Sequence, residues 1–231
     1  MKRLALVGYG KMGRLLERLA PEAGFEVALK LDVDSNAHGE GLTSASVAGV
    51  DVAVEFTTPE AAAENVLALA RLKVPVVCGT TGWHARLAEI RQGVTEAGGT
   101  LVYGANFSIG MHVFQKVVAE AARRMEQQPA YEAWAWEIHH SQKKDAPSGT
   151  LLTLLDVMRR AGYSRRVDAA SSRAGTVPGT HEIGFDSAAD VITLRHEARS
   201  REGFARGALW AAQWVTGRIG VYEFSEILFA E

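Results

Sequence analysis

Short apolar runs alternate with amphipathic stretches through the first half of the chain. The apolar runs predict strands at residues 2–7, 25–31, 50–56, 74–78 and 100–103, and the stretches between them predict helices at 14–20, 60–72 and 84–97. Strands that alternate with helices in this way predict a parallel, doubly wound sheet. The carboxyl ends of its strands would form one edge, which is where open α/β sheets bind ligands.

The pattern changes after residue 107. A long helix is predicted from 109 to about 127, followed by an alternating strand at 131–138, a helix from 148 to about 160, and strands near 169–173, 181–185 and 191–198. This order predicts an α+β unit with an open mixed sheet. A last helix at 204–217 and the segment Gly220-Val221-Tyr222 are expected to return to the first unit. We therefore expect two domains, one of residues 1–107 and 203–231 and one of residues 108–202.

A glycine-rich turn follows the first predicted strand. Gly8-Tyr9-Gly10-Lys11-Met12-Gly13 leads into a helix, and Asp32 ends the second strand, close to the roughly 20 residues expected between such features. This combination is typical of a Rossmann-like dinucleotide-binding unit, in which the glycines let the backbone approach a pyrophosphate and the acid accepts hydrogen bonds from ribose hydroxyls. The alternative is an ordinary glycine turn beside a solvated aspartate.

Polar or glycine-rich segments also follow the later strands of the first domain. They are Thr57-Thr58-Pro59, Gly79-Thr80-Thr81-Gly82 and Gly104-Ala105-Asn106-Phe107-Ser108. Glycine, threonine and asparagine are common in loops that bind nothing. Three such segments at one predicted sheet edge nevertheless favour contact with a ligand. The expected cofactor-binding residues are those of the glycine turn, Asp32, Phe56, Gly79, Thr80, Thr81, Gly104, Ala105, Asn106 and Phe107.

The segment from His139 to Thr150 carries the most reactive chemistry of the chain. Ser148-Gly149-Thr150 opens a predicted helix, whose first backbone N–H groups can bind a carboxylate or a phosphate, and Lys143 can supply a countercharge. Lys144 is expected to be a solvated charge. Because His139 and His140 are adjacent at the end of a strand, they should lie on opposite faces and serve different purposes.

Composition narrows the classes of function. The chain has 231 residues and a net charge of −2, with no run of five like charges, so nothing in it indicates a nucleic-acid or membrane-surface binder. No apolar run is long enough for a membrane span or a signal peptide, and a cytoplasmic enzyme with a small-molecule partner is expected. Cys78, the single cysteine, is expected to be a buried thiol. We expect no metal site, because the two adjacent histidines have no second donor cluster in the sequence.

Together these segments resemble the dihydrodipicolinate reductase family, also called 4-hydroxy-tetrahydrodipicolinate reductases, of lysine and diaminopimelate biosynthesis. The resemblance extends from end to end of the chain. Its most specific part is Glu137-Ile138-His139-His140, followed by Lys143 and by Asp145-Ala146-Pro147-Ser148-Gly149-Thr150. Supporting parts are Gly79-Thr80-Thr81-Gly82, Ala105-Asn106-Phe107-Ser108 with Gly110, the segment 173–181 and the segment 190–201.

The resemblance implies an NAD(P)H-dependent oxidoreductase, commonly a homotetramer, that reduces 4-hydroxy-tetrahydrodipicolinate or dihydrodipicolinate to tetrahydrodipicolinate. Its implied general acid is His139, with Lys143 as a second proton-donor candidate and with His140, Gly149 and Thr150 as substrate-binding residues. Ser148 and Thr81 are expected to help hold a substrate carboxylate. Residues 1–107 and 203–231 would then bind the dinucleotide, and residues 108–202 would bind substrate and form the oligomer.

Two departures from the family pattern concern the cofactor. The glycine turn is one residue shorter, with Lys11 where the family has arginine, and Asp32 is followed by Val33 rather than by an arginine that accepts a 2′-phosphate. We therefore expect NADH to be preferred and NADPH to be possible, with Lys11 and Lys30 softening the preference. Two alternatives stay open: another oxidoreductase, such as an amino-acid or aldehyde dehydrogenase, and a dinucleotide sensor without catalytic activity.

Overall fold

The computed structural model describes residues 1–37 and 39–230, and the chain divides into two compact units. The first comprises Met1–Ser108 and Glu202–Glu231, and the second comprises Ile109–Arg201. Residues 38 and 231, which fall inside the predicted first domain, lie outside the described residues. Among the helices of the described part of the chain, none combines the length and apolarity that crossing a bilayer requires.

The first unit contains a six-stranded sheet in which all paired neighbours are parallel. Its strands are β1 (Lys2–Val7), β2 (Phe25–Leu31), β3 (Val52–Glu55), β4 (Val76–Cys78), β5 (Thr100–Tyr103) and β10 (Gly220–Glu223). Their order across the sheet is β10-β5-β4-β3-β1-β2. The predicted doubly wound, Rossmann-like sheet is confirmed, although β3 and β4 are shorter than the runs at 50–56 and 74–78 predicted.

In the described residues five helices accompany this sheet. They are α1 (Lys11–Leu19), α2 (Pro59–Arg71), α3 (Leu87–Glu96), α6 (Glu202–Val215) and α7 (Phe224–Leu228). Four of them differ modestly in their bounds from the predicted helices, and the fifth, α7, was not predicted. The single helix predicted at 84–97 is instead a short 3-10 turn, His84–Arg86, followed by α3. Cys78 is fully buried in β4, as its apolar surroundings indicated.

The second unit contains a four-stranded mixed sheet in the order β7-β6-β8-β9. Its strands are β6 (Glu132–His139), β7 (Val167–Arg173), β8 (Thr180–Asp186) and β9 (Val191–Glu197), and its helices are α4 (Ile109–Met125) and α5 (Gly149–Arg160). The β6–β7 pair is parallel, whereas β6–β8 and β8–β9 are antiparallel, which confirms the predicted mixed sheet.

Side chains alternate along β6 and place its two faces in different environments. Ala133 and Ala135 are buried in a core that includes Phe114 of α4 and Leu151 of α5. Trp134 and Trp136, on the opposite face, are half-buried. Small residues on the inner face let the helices approach the sheet, so the bulky indoles occupy the outer face.

Strand order places a topological switch point beside β1. The chain moves from β1 to β2 on one side and then returns to form β3 on the other, so ligands are expected at the carboxyl ends of β1 and β3. Gly8 follows β1 and Phe56 follows β3. The backbone of Phe56 donates to Val7 O at 2.8 Å, which holds the two strand ends together.

The last residue of β3, Glu55, is a fully buried carboxyl. Its Oε1 accepts hydrogen bonds from the backbone N–H, at 3.1 Å, and the hydroxyl of Thr57, while Cys78 Sγ lies 3.0 Å from Oε2. Burial raises the pKa of Glu55 above its ordinary value, and these hydrogen bonds only partly oppose that effect. Ionisation of Glu55 therefore opposes folding.

We expect Glu55→Gln to gain stability relative to the wild-type protein as the pH rises. A carboxyl whose pKa is raised by folding contributes stability below its unfolded pKa, and that contribution is lost as the pH rises through the folded pKa. Glutamine keeps an acceptor for Thr57 and has no proton to lose. Urea unfolding at pH 5 and pH 8 measures the change, with the exposed Glu26→Gln as control. A difference in unfolding free energy that is the same at both pH values would contradict the prediction.

Candidate active site

Two glycines of the turn after β1 are required by close contacts within the first unit. Gly8 has a φ of +98°, and a Cβ on it would lie 2.0 Å from Phe56 O. A Cβ on Gly13 would lie 2.4 Å from Gly8 O. Gly10 differs, because no described atom lies within 4 Å of the position of its Cβ. Gly10 thus faces open space at the switch point, as a backbone approached by a ligand should.

The helix after this turn begins without a side-chain cap. Gly10 is the N-cap of α1, and no side chain accepts a hydrogen bond from the first-turn amides. The turn itself is anchored, since Gly8 N and Tyr9 N donate to Leu31 O at 2.8 and 3.0 Å. Uncapped amides and the helix dipole favour an anion at this position. The residues present therefore fit the pyrophosphate of a dinucleotide.

Asp32 lies at the end of β2, next to the anchored turn. Its Oδ1 receives the N–H groups of Asp34 and Ser35, at 3.1 and 3.0 Å, and the hydroxyl of Ser35 at 2.8 Å. These bonds, led by the Ser35 hydroxyl, hold the pKa of Asp32 below its usual value. Among the described residues no donor hydrogen-bonds to Oδ2, so a fixed, exposed carboxylate oxygen is available to a ribose hydroxyl.

Lys30, a candidate countercharge for a 2′-phosphate, already has an anionic partner. Its Nζ lies 3.1 Å from Glu17 Oε1 and 5.1 Å from the centre of the Tyr9 ring, and the Tyr9 hydroxyl donates to the same Glu17 carboxylate. Lys11 is exposed at the first position of α1. Of the two candidate lysines, Lys30 is therefore the less available to a phosphate.

The loops after β3, β4 and β5 divide into structural and accessible residues. Thr80 is buried, and its hydroxyl accepts from Thr57 N at 2.7 Å. A Cβ on Gly79 would lie 2.1 Å from the ring of Phe56. Thr81 and Ala105 are exposed, Asn106 is half-buried, and Gly104 and Phe107 are buried. Phe107 packs against Phe224 with ring centroids 4.6 Å apart, which indicates a structural role for its side chain.

The centre of the second unit is Glu137, a fully buried carboxylate on β6 that sequence reasoning did not single out. Its Oε1 accepts from Ser148 N at 2.8 Å, Ser171 Oγ at 2.9 Å and Arg173 Nη2 at 2.9 Å, and its Oε2 accepts from the Ser148 hydroxyl. Burial alone would raise the pKa of Glu137, but the hydrogen bonds from Ser148, Arg173 and Ser171 lower it to about 2. Glu137 is therefore a permanent anion at neutral pH.

Two histidine rings face this carboxylate. His139 Nδ1 lies 3.5 Å and His181 Nε2 lies 3.4 Å from Glu137 Oε2, and the two ring centroids are 5.1 Å apart. Burial lowers the pKa of His139 below its usual value, with Glu137 opposing the shift, and burial lowers the pKa of His181 to about 4. His181 is thus neutral at pH 7, and burial likewise favours the neutral form of His139.

The helix start predicted to bind an anion is linked directly to Glu137. Ser148 is the N-cap of α5 and accepts from Leu151 N at 3.1 Å, while its own N–H and hydroxyl bind the carboxylate. Gly149 is exposed, and no described atom lies within 4 Å of the position of its Cβ. Thr150 and His140 are half-buried. The first amides of α5 thus follow a residue that is bound to the buried Glu137, and the Gly149 N–H interacts with the Asp145 carboxylate, which a bound anion would displace.

The two lysines of the loop differ in burial, and Lys144 is the more exposed, as expected for a solvated charge. Lys143 is half-buried, and its Nζ lies 2.8 Å from Asp145 Oδ1. Lys144 is exposed. Arg173 reaches the carbonyl oxygen of Asp145, so the loop between His140 and Ser148 is fastened to β7 as well as to β6. A substrate carboxylate would compete with Asp145 for Lys143.

The expectation of no metal site rested on a premise that is wrong. Glu137, His139 and His181 bring donor atoms within 4.8 Å of one another, although the three residues were not recognised as a cluster in the sequence. Arg173 and two serines already bind the carboxylate, so a metal ion would have to compete with a fixed cation for it. The absence of a metal stays a prediction, which metal analysis of the purified protein checks.

Sequence reasoning placed His139, Lys143 and Ser148 correctly on their elements, but it missed their supports. Glu137, Arg173 and His181 lie on three different strands, β6, β7 and β8. Their convergence depends on strand order, which a single sequence does not give. One signal was available: a glutamate on the inward-facing side of a strand, between the buried residues Ala135 and His139, requires buried partners.

Comparisons with known proteins cover almost the whole chain. A family model described as "Dihydrodipicolinate reductase, N-terminus" matches residues 2–107, and one described as "Dihydrodipicolinate reductase, C-terminus" matches residues 110–228. A 4-hydroxy-tetrahydrodipicolinate reductase of Christiangramia forsetii is 33% identical over 236 residues, covering 97% of each chain. One of Bdellovibrio bacteriovorus is 32% identical and covers 100% of this chain and 99% of its own.

A solved structure shares the fold at lower identity. Dihydrodipicolinate reductase from Paenisporosarcina sp. TG-14, with dipicolinate bound, superimposes with a TM-score of 0.79 at 22% identity, covering 98% of this chain and 99% of its own. At this identity the likeness shows the fold alone.

Proposed function

The chain belongs to the dihydrodipicolinate reductase family, and from this premise we propose that it reduces 4-hydroxy-tetrahydrodipicolinate or its dehydrated form to tetrahydrodipicolinate with a nicotinamide cofactor. The observation that carries the proposal is the cluster in the second unit. His139 Nδ1 lies 3.5 Å from the buried carboxylate of Glu137, and Ser148, the N-cap of the helix that starts at Gly149, is hydrogen-bonded to the same carboxylate. An acid and an anion-binding site in fixed relation suit protonation of a small carboxylate substrate.

Substrate anchoring is assigned to the start of α5 and the loop before it. One carboxylate of the dicarboxylate is held by the amides of Gly149 and Thr150, with Lys143 as countercharge and with Ser148 keeping the helix start in place. His140, half-buried at the end of β6, is a further substrate contact. Thr81, which is exposed in the first unit, is assigned to the same substrate.

The reaction reduces one carbon–carbon double bond of the dehydrated ring; the hydroxylated ring must first lose its C4 hydroxyl and a C3 hydrogen as water, which creates that double bond. When bound, the nicotinamide cofactor supplies a hydride to ring carbon C4 and leaves as its oxidised form. The electron pair of the double bond then takes up a proton at ring carbon C3, and His139 donates it and becomes neutral. In the free protein, burial lowers the pKa of His139 and disfavours its charged form. The negative charge of a bound dicarboxylate has the opposite effect and favours uptake of the proton that His139 later donates.

We expect His139→Gln to lower kcat by about a hundredfold or more, because one general acid is lost, while the KM for the cofactor changes little. The measurement is NADH consumption during reduction of freshly generated substrate. His196→Gln serves as control, since His196 is a half-buried histidine on β9 beside Phe114. A His139→Gln variant with near wild-type kcat at neutral pH would overturn the assignment.

NADH is proposed as the preferred cofactor. The fixed Asp32 carboxylate attracts ribose hydroxyls and repels a 2′-phosphate, whose charge at neutral pH is close to −2. Lys30 is paired with Glu17, so Lys11 is left as the more available countercharge. An exposed lysine is worth about 1 kcal/mol or less, which softens the preference without reversing it.

The cofactor preference is tested by kcat/KM for NADH and NADPH in the wild type and in Asp32→Ala. We expect NADH to be favoured in the wild type and the ratio to fall by about tenfold in the variant, because a charge repulsion worth about 1.4 kcal/mol is removed. Asp34→Ala, an exposed acid in the same turn, should leave the ratio nearly unchanged. A wild-type preference for NADPH would refute the reading of Asp32.

A homotetramer in the cytoplasm is proposed as the working form. Helices α4 and α5 pack on one face of the mixed sheet, and the other face carries half-buried Trp134 and Trp136 together with Val191, which is 53% exposed. Partly exposed aromatic and aliphatic side chains on one face of a sheet favour association with another copy of the chain. A cytoplasmic location is favoured by the supply of NADH that the reaction needs.

Trp136→Glu should lower the assembly state, because it places a charge within the proposed interface. Sedimentation velocity at micromolar concentration measures the change, and Ile219→Glu, at a position 74% exposed in the first unit, is the control. A wild-type protein that sediments as a monomer would rule the tetramer out.

A further inference from the structure

We propose that Glu137 is a positioning residue that fixes the tautomer of His139, holding a proton on Nδ1 so that the transferable proton is carried on Nε2, beside the backbone of Gly179. This inference deepens the proposed function and rests on it for the role of His139 as the acid. It also makes a statement about the resting protein that is testable without substrate.

The geometry distinguishes the two ring nitrogens of His139. Nδ1 is fully buried, makes no hydrogen bond with a described residue, and lies 3.5 Å from Glu137 Oε2. Nε2 lies on the side of the ring next to Gly179, where an added Cβ would be 3.0 Å from it. One nitrogen therefore faces an anion and the other faces a residue without a side chain.

Electrostatics select the tautomer. An unprotonated Nδ1 would point its lone pair at a carboxylate in a site closed to water, whereas a protonated Nδ1 places an N–H dipole towards the same charge. Glu137 stays ionised because Arg173, Ser148 and Ser171 bind it. The proton on Nδ1 is therefore retained in both charge states of the ring, and the proton that comes and goes is on Nε2.

The other groups that face His139 do not remove this selection. His181 on β8 is neutral at pH 7, and its Nε2 lies near the same carboxylate oxygen and 3.3 Å from the Ser148 hydroxyl. Lys143 and Asp145, in the loop between β6 and α5, are paired with each other at 2.8 Å. Arg173 on β7 disfavours a charged His139, but it is bound directly to Glu137. Glu137, although paired with Arg173, is thus the charged group among these that lies 3.5 Å from Nδ1.

Gly179 explains why the transferable proton can be reached. A Cβ at 3.0 Å from Nε2 and 3.1 Å from Cδ2 of His139 would occupy the space beside the Nε2–Cδ2 bond. Because Gly179 has no side chain, that space is available to a proton acceptor. A glycine just before β8 therefore keeps Nε2 of His139 accessible, and the φ of +155° at Gly179 also favours glycine.

Nitrogen-15 NMR of histidine-labelled protein tests the proposal directly, because the shifts of the two ring nitrogens report the tautomer. His139→Gln assigns the signal. In the wild type, above the pKa of His139, we expect a protonated Nδ1 and an unprotonated Nε2. A neutral His139 with its proton on Nε2 would overturn the proposal. This measurement needs no variant of Glu137, so it decides the matter even if such a variant fails to fold.

Glu137→Gln provides the second arm. Three donors bind Oε1, so the amide oxygen should take that side and the NH₂ group should face Nδ1 as a donor. We expect the neutral tautomer of His139 to change to Nε2–H and its pKa to fall. The control, Glu132→Gln, makes the same substitution at an exposed position of the same strand. An unchanged tautomer and pKa in folded Glu137→Gln would refute the proposal.

Kinetics separate positioning from a merely structural role. In Glu137→Gln the fall of kcat with rising pH should begin at lower pH, and kcat at pH 8 should drop by about tenfold or more, while the KM for the dicarboxylate changes by less than about threefold. A raised KM with an unshifted pH profile would indicate only a damaged binding site and would count against the proposal. If the wild type reduces no dicarboxylate, the proposed function fails, whereas the tautomer measurement still stands.

Discussion

The second unit depends on one buried ion pair, between Glu137 and Arg173. A carboxylate without solvent is costly, and here the cost is offset by a guanidinium at 2.9 Å, two serine hydroxyls and a backbone N–H. Those partners lie on β7 and at the start of α5, while the carboxylate lies on β6. Satisfying one charge therefore brings together the helix start, the His/Lys loop and the titratable ring, and a change at Arg173 would disturb all three.

The first unit depends on a steric constraint instead. Gly8 lies so close to Phe56 O that any side chain would separate the ends of β1 and β3, and a Cβ on Gly13 would lie within 2.4 Å of Gly8 O. These contacts fix the path of the turn, and the N-cap residue of α1 provides no side-chain cap. The proposed cofactor site thus rests on backbone packing, whereas the proposed proton donor in the other unit rests on side-chain charge. The two kinds of support respond differently to mutation and to pH.

Periodicity was sufficient to predict nine of the ten described strands, and β10 appeared only as a segment expected to return to the first unit. It was not sufficient for their lengths: β3 covers only Val52–Glu55 of the run at 50–56, and the Glu55 carboxyl is buried against Thr57 and Cys78. The role of His139 as a general acid is implied by the family resemblance and stays a prediction, whereas the places of Arg173 and His181 beside Glu137 could not be predicted from the sequence. They reach Glu137 only because β7 and β8 flank β6, and that order depends on tertiary packing.

The position of β10 has a consequence for synthesis on the ribosome. This strand completes the parallel sheet beside β5, and α6 buries Leu209 and Ala212 in the first unit, yet both elements are translated after residues 109–201. The nascent first unit therefore exposes the edge of β5 and apolar surface while the whole of the inserted unit is being made. Since domains fold as units during translation, the inserted unit can fold first, and the unit begun earliest is finished last.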